Sequence, residues 1–92
     1  MHTVGIDVSK GKSMIAVMRS GGEEVFKPFE VHHTGHDLTL LSDKLKSLGG
    51  ETRVVMEATG SYHLPIAWLL NHAGFYVSVV NPILIHGYGN NS

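Results

Sequence analysis

The sequence predicts an α/β domain built on a single mixed sheet, with its elements in the order β-β-β-α-β-α-β. Three observations carry this prediction. The first third of the chain is three short apolar runs joined by tight turns. From Leu38 the apolar residues recur in steps of three and four. Beyond that stretch a β-branched run, a second helical stretch and a last apolar run follow one another up to Val80. An antiparallel meander followed by βαβ units makes one sheet with helices packed on it, and the right-handed crossover rule leaves few ways to wind it.

Each element has its own reason. Val4–Val8 is a short apolar run containing one acid, Asp7, with Gly11-Lys12 as the turn after it. Ser13–Met18 is again apolar and ends before Ser20-Gly21-Gly22, a strong turn signal. Glu24–Val31 alternates imperfectly, and Pro28 assigns it to an edge or a bulge because proline cannot donate to a ladder. Leu38, Leu41, Leu45 and Leu48 share one helical face. Thr34, three residues before Asp37, resembles a capping box, and Gly49-Gly50 ends the helix. Thr52–Met56 is a fourth strand, followed by the loop Ala58-Thr59-Gly60-Ser61. A second helix is expected from about Tyr62 to His72, with Ile66, Leu69, Leu70 and Ala73 as its apolar stripe and Pro65 in its first turn. Gly74 stops it, Phe75–Val80 is the fifth strand, and Asn81-Pro82 breaks that strand. The tail from Gly87 to Ser92 is turn-rich and expected to be mobile.

The bulk numbers set bounds. Ninety-two residues make one small domain, which buries a smaller share of its surface than a larger one and is expected to be marginal alone. A net charge of -1 lacks the general basic footprint of a free-standing DNA-binding module. A catalytic domain whose acids hold metal is compatible with that charge. The absence of cysteine excludes disulfides, thiolate zinc sites and a Cys nucleophile, and fits a cytoplasmic protein. No apolar stretch approaches the length of a membrane span, and no leader-like pattern opens the chain.

Two acids stand out. Asp7 interrupts an apolar strand, where a lone ionised carboxylate is expensive unless something pairs with it. The plainer alternative is that Asp7 points to the solvent face or caps the following turn. Glu57 closes the run Val54-Val55-Met56 and precedes a loop of small residues. Strand ends facing a loop-lined cleft are where α/β folds place functional groups. An exposed loop acid is the alternative. If the first and fourth strands are neighbours, both carboxylates reach one cleft. There they would repel each other unless a cation such as magnesium lay between them. A pair of such ions about 4 Å apart would clamp the attacking and leaving oxygens of a phosphodiester.

Three blocks then occur in order. They are Gly5-Ile6-Asp7-Val8-Ser9-Lys10, Met56-Glu57-Ala58-Thr59-Gly60-Ser61-Tyr62, and Gly74-Phe75-Tyr76-Val77 leading to Val79-Val80-Asn81-Pro82. Together they resemble the N-terminal domain of the DEDD insertion-sequence transposases and the related Piv-type DNA invertases. The resemblance implies a RuvC-like, ribonuclease-H-like fold cut short after its fifth strand, so that residues 1–92 form the N-terminal part of a catalytic domain. It also implies an Asp-Glu-Asp-Asp tetrad binding Mg2+ or Mn2+, with Asp7 matching the first acid and Glu57 the second. In the family the last two acids follow in a Lys-Thr-Asp-x-x-Asp-Ala type segment. This sequence has no Asp after Asp43, so the chain is expected to be inactive alone. Members also carry a C-terminal domain with a serine nucleophile, act on DNA, and in some cases use a structured guide RNA. A homo-oligomer is expected.

Lys10 and Thr59 sit beside the two acids in sequence. Lys10 is placed to approach a scissile phosphate, and Thr59 or Ser61 to orient a water, unless they serve as turn, loop and cap residues. His32, His33 and His36 form a local cluster that reads either as a transition-metal site or, more simply, as a solvated loop. Tyr62 and Trp68 fall on the second helix; Tyr62 is a candidate for stacking on a base, and both are equally candidates for core or interface. Two other functions share parts of this pattern. One is an actin or sugar-kinase type nucleotide-binding domain, although Ser9-Lys10-Gly11-Lys12 is a poor phosphate cradle. The other is a non-catalytic module that dimerises.

Overall fold

Strict alternation builds the first strand. In β1 (His2–Ser9) Val4, Ile6 and Val8 are buried, whereas Thr3, Gly5, Asp7 and Ser9 are exposed. The structure is a computed structural model that describes residues 1–58 and 60–81; Thr59 and the turn-rich tail expected from Gly87 lie outside these residues. A tight turn through Gly11, whose φ of 74° suits a residue without Cβ, leads into β2 (Lys12–Arg19). β3 (Glu23–His32) completes the meander. The register between β2 and β3 shifts twice, once on each side of Val17, and Pro28 lies in the first shift. β3 is also an edge strand, so the proline sits where its missing N–H costs least.

Helix α1 (Gly35–Lys46) starts at Thr34, whose Oγ1 accepts from the Asp37 N–H at 3.2 Å. The second half of the expected capping box takes another partner: Asp37 Oδ2 accepts from the His32 N–H at 3.1 Å. The carboxylate thus ties the end of β3 to the start of the helix. β4 (Thr52–Glu57) alternates as cleanly as β1. Helix α2 (Leu64–His72) begins two residues later than the sequence suggests. Pro65 is the reason: it has no N–H to give to Ser61, so residues 61–63 form a turn and the first full helical bond is Ala67 N–H to His63 O at 2.9 Å. β5 (Tyr76–Val80) is the last described element.

The sheet order is β3-β2-β1-β4-β5. β1 pairs antiparallel with β2 and parallel with β4, and β4 pairs parallel with β5. Val4, Ile6, Ile15, Val17, Val54 and Met56 join Leu38, Leu41, Leu45, Ile66 and Leu70 in one buried cluster. Both helices therefore lie on one face of the sheet. Among the described residues the other face carries no helix, and Gly5, Asp7, Met14, Val55 and Glu57 are exposed on it.

Candidate active site

Asp7 and Glu57 owe their place to parity. Asp7 shares the phase of Thr3 and Gly5, and Glu57 that of Arg53 and Val55, so both side chains leave the sheet on its uncovered face. Asp7 does not interrupt a buried strand; it is in step with the exposed side of an alternating one. The parallel register sets their separation. Ile6 pairs with Met56, and Asp7 and Glu57 are the next residues on two adjacent strands, whose axes lie about 4.8 Å apart. The Ala58 N–H donates to Val80 O at 2.8 Å and carries the β4–β5 ladder one step further. Asp7, Glu57 and Val80 thus cluster at the carboxyl ends of three parallel strands, where open α/β sheets bind ligands.

A groove of about 610 Å3 runs over this spot, lined by Asp7 and Glu57 with Gly5, Ala16, Val55 and Val80 among its other walls. Its floor is shallow at Gly5, where an added Cβ would meet no heavy atom within 4 Å. Two carboxylates brought to one groove repel each other, and a cation between them relieves that repulsion. Among the described residues no group of three or more His, Cys, Asp or Glu is placed to hold a metal. The donor set is therefore two hard carboxylates. Magnesium suits such a pair, because it commonly keeps several waters and takes only one or two protein carboxylates.

The other sequence candidates divide. Lys10 is exposed at the tip of the β1–β2 turn and is not among the residues lining the groove. Thr59 lies outside the described residues. Lys12, which sequence reasoning passed over, lines a neighbouring hollow together with Asp7, Ser9 and Glu30. Its ammonium lies 3.6 Å from Glu30 Oε2, and His32 Nε2 lies 3.5 Å from the other oxygen of that carboxylate. Cross-strand pairing links Asp7 to Met14 and Met14 to Glu30, which was the signal available for finding this hollow.

The histidine cluster comes apart. His32 turns to Glu30, whereas His33 Nε2 lies 2.7 Å from Ser13 Oγ on the helix side of the sheet. Successive residues at a strand end face opposite ways, so the two imidazoles diverge. Burial, and secondly the charge of His32, hold the His33 pKa below its ordinary value. Trp68 is not in the core, at 63% exposed, and Tyr62 precedes α2 and is 42% exposed. No described helix is long and apolar enough to cross a membrane.

Comparison with known proteins adds to this geometry. RuvC of Thermus thermophilus superposes with a TM-score of 0.63 at 14% identity, over 92% of this chain and 66% of that one. The same protein in complex with a Holliday junction substrate gives 0.60 at 14%, over 95% and 68%. Pelota of Archaeoglobus fulgidus gives 0.57 at 20% identity, over 92% of this chain and 31% of that one. Identities this low speak for the fold, which is ribonuclease-H-like. The chain spans about two thirds of RuvC and about a third of Pelota. No curated protein sequence matches it. The profile of the DEDD transposases of the IS110 type, described as "Transposase", matches residues 4–92. With that family model matching residues 4–92, nearly the whole chain, the chain belongs to the DEDD transposase family.

Proposed function

We propose that this chain is the front part of a transposase catalytic domain, in which Asp7 and Glu57 are the first two ligands of a divalent cation, Mg2+ or Mn2+, used in DNA strand cleavage and transfer. One observation carries the reading: the two carboxylates leave adjacent parallel strands on the same face and line the same groove. A divalent ion held there would neutralise charge on a phosphodiester and polarise it. The chain's own groups hold and position. Asp7 and Glu57 offer hard oxygens, the apolar floor of Gly5, Ala16 and Val55 leaves room above them, and Lys12 shares a neighbouring hollow with Asp7. Lys10 at the turn tip, and Thr59 two residues after Glu57, are placed in sequence to meet the DNA backbone. The family profile favours this reading over nucleotide binding.

Residues 58–92 contain no acid, so these 92 residues supply two members of a four-acid set. Alone, the chain should bind the ion weakly and show no strand cleavage; in action it works on DNA as a homo-oligomer. Manganese titration followed by 1H–15N NMR tests the site. Broadening should begin at the amides around Asp7 and Glu57, and Asp7→Asn or Glu57→Gln should abolish it while the remaining spectrum stays dispersed. Broadening centred elsewhere, or unchanged in both variants, would remove the site.

A further inference from the structure

We infer that Lys12 grips a DNA phosphate beside the acid pair, and that Glu30 is the positioning residue that holds its ammonium clear of Asp7. This rests on Asp7 and Glu57 being the ligands of a cation used on DNA.

Register lays the open face out in rows. Asp7 lies opposite Met14, and Met14 opposite Glu30. One row further on, Ser9 lies opposite Lys12, and Lys12 opposite His32. Lys12, Met14, Glu30 and His32 are all exposed members of their strands' alternation. Lys12 is therefore a diagonal neighbour of Asp7 on one side and of Glu30 on the other, about 7–8 Å from each at the backbone. Its side chain is long enough to turn either way. It turns to Glu30, with Nζ 3.6 Å from Oε2. Glutamate has one methylene more than aspartate, so its carboxylate reaches further across the diagonal. An ammonium seated on Asp7 would occupy the oxygens that a divalent ion needs. Held at Glu30, Lys12 leaves them to the cation.

The backbone beneath Lys12 is fastened. Gly11 O accepts from the His33 N–H at 2.9 Å, and Lys12 O accepts from Ser9 Oγ at 3.2 Å. On the covered face Ser13 Oγ lies 2.7 Å from His33 Nε2. The side chain is held more loosely. The Lys12 and Glu30 side chains are 51% and 43% exposed, and an ion pair so exposed contributes about 1 kcal/mol at most. A phosphate can draw the ammonium away at little cost. His32 Nε2, 3.5 Å from the other Glu30 oxygen, then stays beside that carboxylate.

The sheet order gives the grip a direction. Glu57, Asp7 and Lys12 stand on β4, β1 and β2, three successive strands. The hollow of about 220 Å3 that Lys12 lines adjoins the main groove, because Asp7 and Met14 line both. A DNA strand crossing from β4 to β2 meets the cation site first and Lys12 next. Contacts of this kind fix the register of the backbone and read no sequence.

Two measurements on the 92-residue chain test this. In the first, a short oligothymidylate is titrated with Mg2+ present at several salt concentrations, followed by 1H–15N NMR. Amides from Ser9 to Met14 should move. Lys12→Ala should weaken binding about threefold, as for one exposed ion pair. It should also lower the slope of log affinity against log salt by about 0.7, the share of one phosphate contact on a single strand. Lys12→Arg should restore the slope, and Lys46→Ala, in α1, should leave it unchanged. The second measurement is manganese affinity without DNA. Lys12→Ala should change it little in the wild type and raise it about threefold in the Glu30→Gln background, where the freed ammonium turns to Asp7. Independent charges would give equal changes in both backgrounds. Amides that stay in place at millimolar oligonucleotide overturn the grip, as does an unchanged slope in Lys12→Ala, even where manganese broadens both acids. Equal changes in the two backgrounds overturn the role of Glu30. With no broadening at either acid the metal site falls and the role of Glu30 falls with it, while the salt slope still decides the grip.

Discussion

Asp7 and Glu57 illustrate how much of a site one residue's parity decides. Each follows a buried apolar residue, Ile6 or Met56, and therefore points away from the helices. Moving either acid by one position would bury it under α1 and α2. His33 shows the opposite placement. Its ring lies against the helix side, 2.7 Å from Ser13 Oγ, and Ser13 is almost fully buried. The neutral ring fits there. Burial, then the charge of His32, lowers its pKa from 6.5. Below pH 6.5 the unfolded chain consequently binds more protons at this residue than the fold does. The contribution of His33 to stability is fully present above that pH and is lost as pH falls through the lowered value. His32 is the charged neighbour that acts on it. Comparing melting temperature against pH for the wild type and His33→Gln should show a steeper acid loss in the wild type. Parallel curves would mean that His33 titrates as it does in the unfolded chain.

At the scale of elements, α1 is fastened at both ends of its contact with β3. Asp37 holds the His32 amide at the start of the helix. Near its end Lys44 Nζ lies 4.6 Å from the centre of the Phe26 ring and 4.4 Å from that of Phe29. The two rings meet edge to face, with centroids 6.3 Å apart at 79°. Lys44→Met keeps the aliphatic stem and removes the charge, so it should cost about 0.5–1 kcal/mol per ring at most. For a domain of this size that lowers the melting point by several degrees. An unchanged melting point would assign the clamp to the stem alone. Much of this architecture was legible in the sequence. Pro28 announced the edge strand, Thr34 the helix start, and short apolar runs between turns the five strands. What escaped was decided by neighbours distant along the chain. The partner of the Asp37 carboxylate, the divergence of His32 and His33, and the place of Lys12 beside Asp7 all depend on cross-strand register. The late start of α2 was local and readable, because Pro65 cannot donate to Ser61. The outward turn of Trp68 also follows from the phase of Ile66 and Leu70.

Among the described residues the molecule has its core on one side of the sheet only. Val4, Ile15, Val17, Val54, Ile66 and Leu70 are fully buried between the sheet and its helices, whereas Val55 on the other face is 40% exposed. That asymmetry is what leaves the acids reachable, since a second helical layer directly over Gly5 and Val55 would fill the groove. It also limits stability. A chain of 92 residues can expect roughly 5–14 kcal/mol in total at typical values per residue, and half a sandwich belongs near the lower end. Two adjacent residues of β4 test this directly. Met56 is 1% exposed on the covered face, so Met56→Ala should cost about 2–5 kcal/mol and leave the domain partly unfolded at room temperature. Val55→Ala, one step along the same strand, should change stability by less than about 1 kcal/mol. Urea titration monitored by far-ultraviolet circular dichroism measures both. Equal losses would show that something covers the open face in solution, and a site built on accessible carboxylates would then need that cover to move before DNA could enter.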